Sequence, residues 1–125
     1  MTFNGIKASN YGFEKYTSGC FLTTATVKYM GKPDDCYELT VLRDFRDKYM
    51  LTDSKRKEEV QKYYQLGPNV VAAINNSKNR DEILQDIYDN LVVNSIKLIN
   101  QNKLYEAYQY YKKYTINLYQ KLQAN

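Results

Sequence analysis

The stretch RDEILQDIYDNLVVNSIKLIN, residues 80–100, decides the fold. Its apolar residues recur at the three- and four-residue spacing of one helix face: Ile83, Ile87, Leu91, Val92 and Ile96, then Leu98 or Ile99. Polar turn sequences at 75–79 and 100–103 set its limits. The spacing predicts a helix over about 80–100 with one face buried against other helices.

Similar patterns predict helices on both sides of this stretch. After it, apolar residues favour an amphipathic helix over about 104–122. Before it, a helix is expected over about 34–51, with Asp34 or Asp35 as its N-cap. Thr52-Asp53-Ser54 offers the next cap, and Gly67-Pro68 predicts that the following segment forms two helices or one kinked helix.

The N-terminal part of the chain divides near residue 20. The segment 20–30 is rich in β-branched residues, but its length and the Gly31-Lys32-Pro33 stop favour a helix over a strand. Residues 1–19 hold three of the five glycines and predict an irregular arm. We therefore expect an all-α fold: a small bundle of five or six helices over 20–125, preceded by an irregular N-terminal arm over 1–19.

Composition narrows the possible functions. The 125 residues include no histidine and two cysteines, and they carry a net charge of +4 with scattered lysines. A nucleic-acid interface is not favoured, because such surfaces cluster their basic residues. The sequence also lacks a long apolar run and a Gly-rich phosphate loop, and we expect no signal peptide, because the first residues lack the basic-then-apolar order of one. We expect a cytoplasmic protein with reduced thiols, no membrane segment, no cofactor and no metal.

Two charged residues fall within the apolar arc of the helix predicted over 34–51. At about 100° per residue, Glu38 and Arg46 lie among its apolar side chains. A buried charge requires a partner, and the two are too far apart along the helix for a simple i,i+4 pair. The pattern therefore predicts a buried polar cluster, which serves either as an ion-pair network between helices or as a binding site.

Cys20 lies where the first helix is expected to begin. Such a position lowers the pKa of a thiol and would make it a candidate nucleophile. An ordinary buried thiol is the alternative interpretation. A cysteine hydrolase of the usual kind needs an imidazole, which this chain lacks.

Four short motifs resemble the bacterial CFI-box domain over about residues 19–74: GCFLTTA at 19–25, CYEL at 36–39, LRDFRD at 42–47 and YYQLGP at 63–68. The sequence differs from that family's pattern in having Leu22-Thr23 where Ile-Ala is usual, and in lacking the Tyr-Gly that closes the first box. The family has no assigned activity. What the resemblance implies is one cluster that contains Cys20, Thr24, Glu38, Arg43, Arg46 and Asp47 as a polar core or an anion-binding pocket.

The last two predicted helices also resemble a single helical hairpin of the tetratricopeptide type, with Ala107 and Tyr108 at the crossing. No second copy follows at a period near 34 residues, so an antiparallel pair within a bundle is preferred.

Two functional hypotheses follow. The first is a non-enzymatic protein-interaction module, such as a small inhibitor or accessory protein of a bacterium or mobile element, that binds a protein partner or a second copy of itself. Its predicted surface is Tyr105, Tyr110 and Tyr114, because tyrosine favours interfaces. The alternative is a cysteine-dependent enzyme or thiol-modified protein, with Cys20 as nucleophile, Glu38 or Asp47 as base and Arg46 as clamp.

Overall fold

The computed structural model describes the backbone of residues 20–124, and within that range all side chains except those of Cys20, Phe21, Tyr63, Tyr64 and Ala124. The described helices are α1 (Cys20–Tyr29), α2 (Tyr37–Phe45), α3 (Ser54–Asn75), α4 (Arg80–Asp86), α5 (Val93–Asn100) and α6 (Leu104–Ala124). Two π-helical segments are also present. Segment π1 (Arg46–Met50) extends α2, and π2 (Ile87–Val92) connects α4 to α5.

The all-α prediction is confirmed. Segments α4, π2 and α5 follow one another without a break, and we call residues 80–100 the central helix. With it, the part of the chain that the structure describes contains five helical rods and no strand. The irregular arm predicted over 1–19 lies outside the described residues.

The start of α2 differs from the prediction. Cys36 precedes the helix as its N-cap, without a side-chain capping bond, so neither Asp34 nor Asp35 has that role. The cause is a turn in which the amide of Cys36 donates to the carbonyl of Pro33 at 3.1 Å. That turn occupies the residues in which the sequence pattern placed the first helical turn.

Gly67-Pro68 does not divide the following segment. Helix α3 runs continuously over 22 residues with Pro68 inside it, where two helices or a kinked one had been expected. Proline lacks the amide for one backbone hydrogen bond, but its φ angle is helical. A helix can therefore continue past a proline when tertiary packing compensates for the lost bond. Val70 and Ile74, which follow the proline, are buried in the core and provide that packing.

Two helices end in the same backbone motif. After α1, the amides of Gly31 and Lys32 donate back to the carbonyls of Lys28 and Val27, with Gly31 at φ +79°. After α5, Asn102 at φ +60° occupies the corresponding left-handed position. This arrangement is the Schellman motif, which satisfies carbonyls at a helix end and turns the chain sharply.

The central helix contacts every other described helix. Its residues Ile87, Leu91 and Val92 have no measurable solvent exposure. They belong to two neighbouring clusters of buried side chains, one formed with α1, α3 and α6 and the other with α2. A third cluster joins the end of α2 to α3 and α6 through Phe45, Val60 and Tyr108.

We predict that Asp53→Ala destabilises the bundle by about 1 kcal/mol, because a carboxylate at an N-cap satisfies an amide that otherwise has no helical partner. Asp53 Oδ2 accepts from the amide of Arg56 at 3.0 Å at the start of α3. Urea denaturation followed by circular dichroism measures the change.

The matched control is Asp35→Ala, which removes an exposed acid that does not cap α2. Its effect should stay within about 0.5 kcal/mol. Equal losses from the two variants would contradict the assigned caps.

Candidate functional site

Glu38 is the centre of a polar cluster that joins three parts of the chain. Its side chain is 14% exposed and projects from the first turn of α2. The Tyr88 hydroxyl, from π2 of the central helix, donates to Glu38 Oε2 at 2.7 Å. Lys32, from the turn after α1, places its ammonium 3.2 Å from the same oxygen. The glutamate is therefore paired, as its place in the apolar arc requires.

This pairing changes the acidity of the groups involved. Partial burial alone would raise the pKa of Glu38, but hydrogen bonds from Tyr88, from its own backbone amide and from Lys32 outweigh it and lower that pKa. The pKa of Tyr88 is raised, chiefly because its hydroxyl donates to the carboxylate of Glu38. Glu38 is thus held ionised and acts as a structural anion.

Arg46 is buried, as the sequence analysis expected, with 5% of its surface exposed. It begins π1, where the amide of Leu51 reaches back five residues to the carbonyl of Arg46 at 2.9 Å. The guanidinium forms a two-pronged contact with the next residue: Nε lies 2.7 Å from Asp47 Oδ1 and Nη2 lies 3.0 Å from Asp47 Oδ2. The carboxylate of Asp47 is more than half exposed, so the buried guanidinium of Arg46 is paired with an acid at the protein surface.

The other predicted members of the cluster are distributed around this part of the bundle. Arg43 holds the turn before α2, with Nη2 bonded to Asp34 Oδ1 and Nη1 to the Asp34 carbonyl, both at 2.8 Å. Thr24 lies on α1 and is half-buried. Cys20 is the first described residue of α1, but its side chain lies outside the described residues. Cys36 is a half-buried free thiol.

The structure therefore brings together Arg46 and Asp47 directly, while Glu38 belongs to a different set of contacts. Among the described residues, Glu38 pairs with Tyr88 and Lys32 and not with Arg46. The sequence indicated that Glu38 needed a partner. It did not identify Tyr88, because nothing local marks a residue 50 positions away as its donor.

Two of the three tyrosines proposed as an interaction surface have a structural role instead. The Tyr110 hydroxyl donates to the Asn90 carbonyl at 2.6 Å, and the Tyr114 hydroxyl donates to Asp86 Oδ2 at 2.5 Å. Both rings pack against the core cluster on the central helix. Burial and then the carboxylate of Asp86 raise the pKa of Tyr114. Tyr105, the third of the set, is 62% exposed, and its role at an interface stays a prediction.

A further polar cluster, which the sequence analysis missed, joins α3 to α6. Glu59 accepts from the Tyr108 hydroxyl at 2.5 Å and from the Lys112 ammonium at 2.9 Å. These two hydrogen bonds, in that order, lower the pKa of Glu59. The four-residue spacing of Tyr108 and Lys112 places them on one face of α6, and this spacing was the available signal.

Four exposed residues lie close together where α2 and α5 meet. Tyr37, at the start of α2, is 61% exposed, and its hydroxyl accepts from Asn100 Nδ2 at 3.0 Å. On α5, Val93, Lys97 and Asn100 are exposed and recur at four- and three-residue spacing, which places them on one side of the helix. We call these four residues the α2–α5 face.

Comparisons with protein-family models, with curated proteins and with solved structures find no match to this chain. The resemblance to the CFI-box domain therefore stays a prediction. Within residues 20–124, no helix combines the length and apolar character that crossing a membrane requires. The described side chains also form no group of three or more potential metal ligands.

We predict that Glu38→Gln and Tyr88→Phe, analysed as a double-mutant cycle, show a coupling of about 1–2 kcal/mol at pH 7, the usual range for a hydrogen bond to a charged group. The folded pKa of Glu38 is lowered, so its contribution is full above the ordinary glutamate pKa and is lost as the pH falls through the lowered value. The coupling should therefore shrink below about pH 4.

Urea denaturation at several pH values measures this coupling. Glu58→Gln, at an exposed position on α3, provides the control and should show no coupling to Tyr88→Phe. A coupling below about 0.3 kcal/mol at pH 7 would contradict the hydrogen bond between Tyr88 and Glu38 as a stabilising contact.

Proposed function

We propose that this protein is a non-enzymatic interaction module that binds another protein in the cytoplasm. It would belong to the class of small inhibitors or accessory proteins that bacteria and mobile elements encode. The binding surface would be the α2–α5 face, with Tyr37 as its anchor. This surface replaces the tyrosine set of α6, of which Tyr110 and Tyr114 are engaged within the chain.

The observation that supports the proposal is the combination of exposure and restraint at Tyr37. The residue is 61% exposed, yet its hydroxyl accepts a hydrogen bond from Asn100 Nδ2. A tyrosine fixed before binding loses less side-chain freedom when a partner covers it, so more of its burial energy contributes to affinity. Tyrosine also combines apolar area with a polar tip, which makes it a common anchor at protein interfaces.

The residues around Tyr37 complete a small mixed surface. Val93 adds exposed apolar area, and Lys97 adds one positive charge on the same side of α5. An apolar centre with a polar and charged border is the usual composition of a transient protein interface. Helices α2 and α5 share a cluster of buried side chains, and this packing would hold the exposed residues in fixed relative positions.

No described contact favours the alternative of a cysteine-dependent enzyme. Its proposed bases are Glu38, whose lowered pKa makes it a weak proton acceptor, and Asp47, which is bonded to Arg46. Its proposed clamp is Arg46, whose Nε and Nη2 are bonded to Asp47.

Site-specific photocrosslinking from position 37 tests the proposal. A photoreactive phenylalanine analogue replaces Tyr37 in the protein expressed in its own host, and a matched sample carries the analogue at exposed Glu58 on α3. We expect a discrete adduct from position 37 that is absent from position 58. An adduct at twice the mass of the chain would identify a second copy as the partner.

Competition makes the result specific to this face. Excess protein without the analogue should compete for the partner and suppress the adduct. Excess Val93→Asp protein should compete at least about tenfold less effectively, because the new aspartate would be buried as an unpaired charge in the interface. No adduct from position 37, or equal competition by the two proteins, would contradict the proposal.

A further inference from the structure

A cavity of about 300 Å³ opens between α1, α3 and the start of the central helix. Val71, Ile74 and Leu84 provide an apolar lining, and Lys28 and Arg80 provide two positive charges. No acidic side chain lines it among the residues that the structure describes. The volume is at the lower end of the range of small-molecule sites, which run from about 300 to 1,000 Å³.

Arg80 is held in place by its neighbours. Its Nε donates to Asn75 Oδ1 at 3.2 Å, and its guanidinium carbon lies 5.3 Å from the centre of the Tyr29 ring. Nη1 contacts Asp81 at 3.1 Å, in a pair whose side chains are both well exposed. Such a surface pair contributes little and neutralises Arg80 only weakly. Nη2 has no hydrogen-bond partner among the described residues and stays available.

Lys28 provides the second charge from the last turn of α1. No described side chain forms an ion pair with it, and the Asp81 that pairs with Arg80 does not line the cavity, so the lining itself carries only positive charge. Lys28 is exposed and the Arg80 side chain is 43% exposed, so both charges are in contact with solvent beside the apolar lining. This arrangement complements a ligand that has an anionic group and an apolar part.

We propose that this cavity binds a carboxylate that carries an apolar side chain, with Lys28 and Arg80 as the residues that recognise the anion. Arginine suits this role, since its planar guanidinium matches a carboxylate. Val71, Ile74 and Leu84 would receive the apolar part, and the Tyr29 ring would limit how far Arg80 can move. The same chemistry occurs in a free hydrophobic amino-acid derivative and at the C-terminus of a peptide.

The site is separate from the α2–α5 face, because it is built from α1, α3 and α4 and shares no residue with that face. Failure of the binding test below would therefore leave the photocrosslinking result unaffected, and the reverse also holds.

Titrations followed by protein NMR test the inference with four ligands. They compare a free carboxylate with an amide, and a small molecule with a peptide. These are N-acetyl-leucine, its C-terminal amide, a tetrapeptide that ends in a free leucine carboxylate and the same tetrapeptide amidated. We expect the two free acids to shift amide signals around the cavity and to bind at least about tenfold more tightly than their amides. Tighter binding by the tetrapeptide acid would identify a peptide end as the natural ligand, and equal binding would identify a small molecule.

Three variants at the cavity and one control variant outside it assign the effect to the cavity. Arg80→Gln and Lys28→Gln should each weaken binding of the acids by about tenfold, the value of one charge-assisted hydrogen bond. Arg80→Lys should retain part of the affinity and shows whether a loss reflects charge or altered folding. Lys78→Gln removes an exposed charge from the neighbouring turn and should change binding less than about twofold.

Equal binding of acids and amides, or equal losses from Lys78→Gln and Arg80→Gln, would overturn the proposal. Absence of signal shifts at the cavity with millimolar N-acetyl-leucine and millimolar tetrapeptide acid would also overturn it.

Discussion

Ile87, Leu91 and Val92 bury their side chains completely, and the central helix that carries them packs against all other described helices. Burial of apolar area is the main favourable term in folding, at about 25 cal/mol per Å². Since α1, α2, α3 and α6 all contact this helix, its apolar face is the surface that they share. The π2 segment lies in this face, and Tyr88 extends from it to Glu38 on α2.

The polar contacts of the bundle follow from that packing. Side chains at the border of the core can approach other helices only if their hydrogen-bonding groups are paired. Tyr88 meets Glu38, Tyr114 meets Asp86 and Tyr108 meets Glu59, so three tyrosine hydroxyls each donate to a carboxylate on another helix. These three tyrosines therefore have a structural role, because each ring contributes apolar area while its hydroxyl donates to a carboxylate. The surfaces proposed for binding use residues outside these pairs, namely Tyr37 at one site and Arg80 at the other.

Much of the fold could be predicted because it depends on local patterns. The spacing of apolar residues identified the central helix, and Gly31 and the polar run near Asn102 marked helix ends. Long-range packing decided the rest. Pro68 stayed inside α3 because Val70 and Ile74 are buried beyond it.

The candidate site was less predictable for the same reason. The apolar arc of α2 indicated correctly that Arg46 is buried and that Glu38 needs a partner. It could not distinguish Tyr110, whose hydroxyl is engaged, from Tyr105, which is exposed, because that difference depends on how α6 packs on the central helix.

The most direct test of this account is the stability of Leu91→Ala, measured by urea denaturation against Val93→Ala in the same helix. Leu91 is fully buried and Val93 is 43% exposed, so the two variants remove apolar atoms from opposite environments at nearly the same place. We expect Leu91→Ala to lower the free energy of unfolding by about 2–5 kcal/mol and Val93→Ala to change it by less than about 1 kcal/mol. A loss below about 1 kcal/mol for Leu91→Ala would contradict the claim that the face of the central helix holds the bundle together.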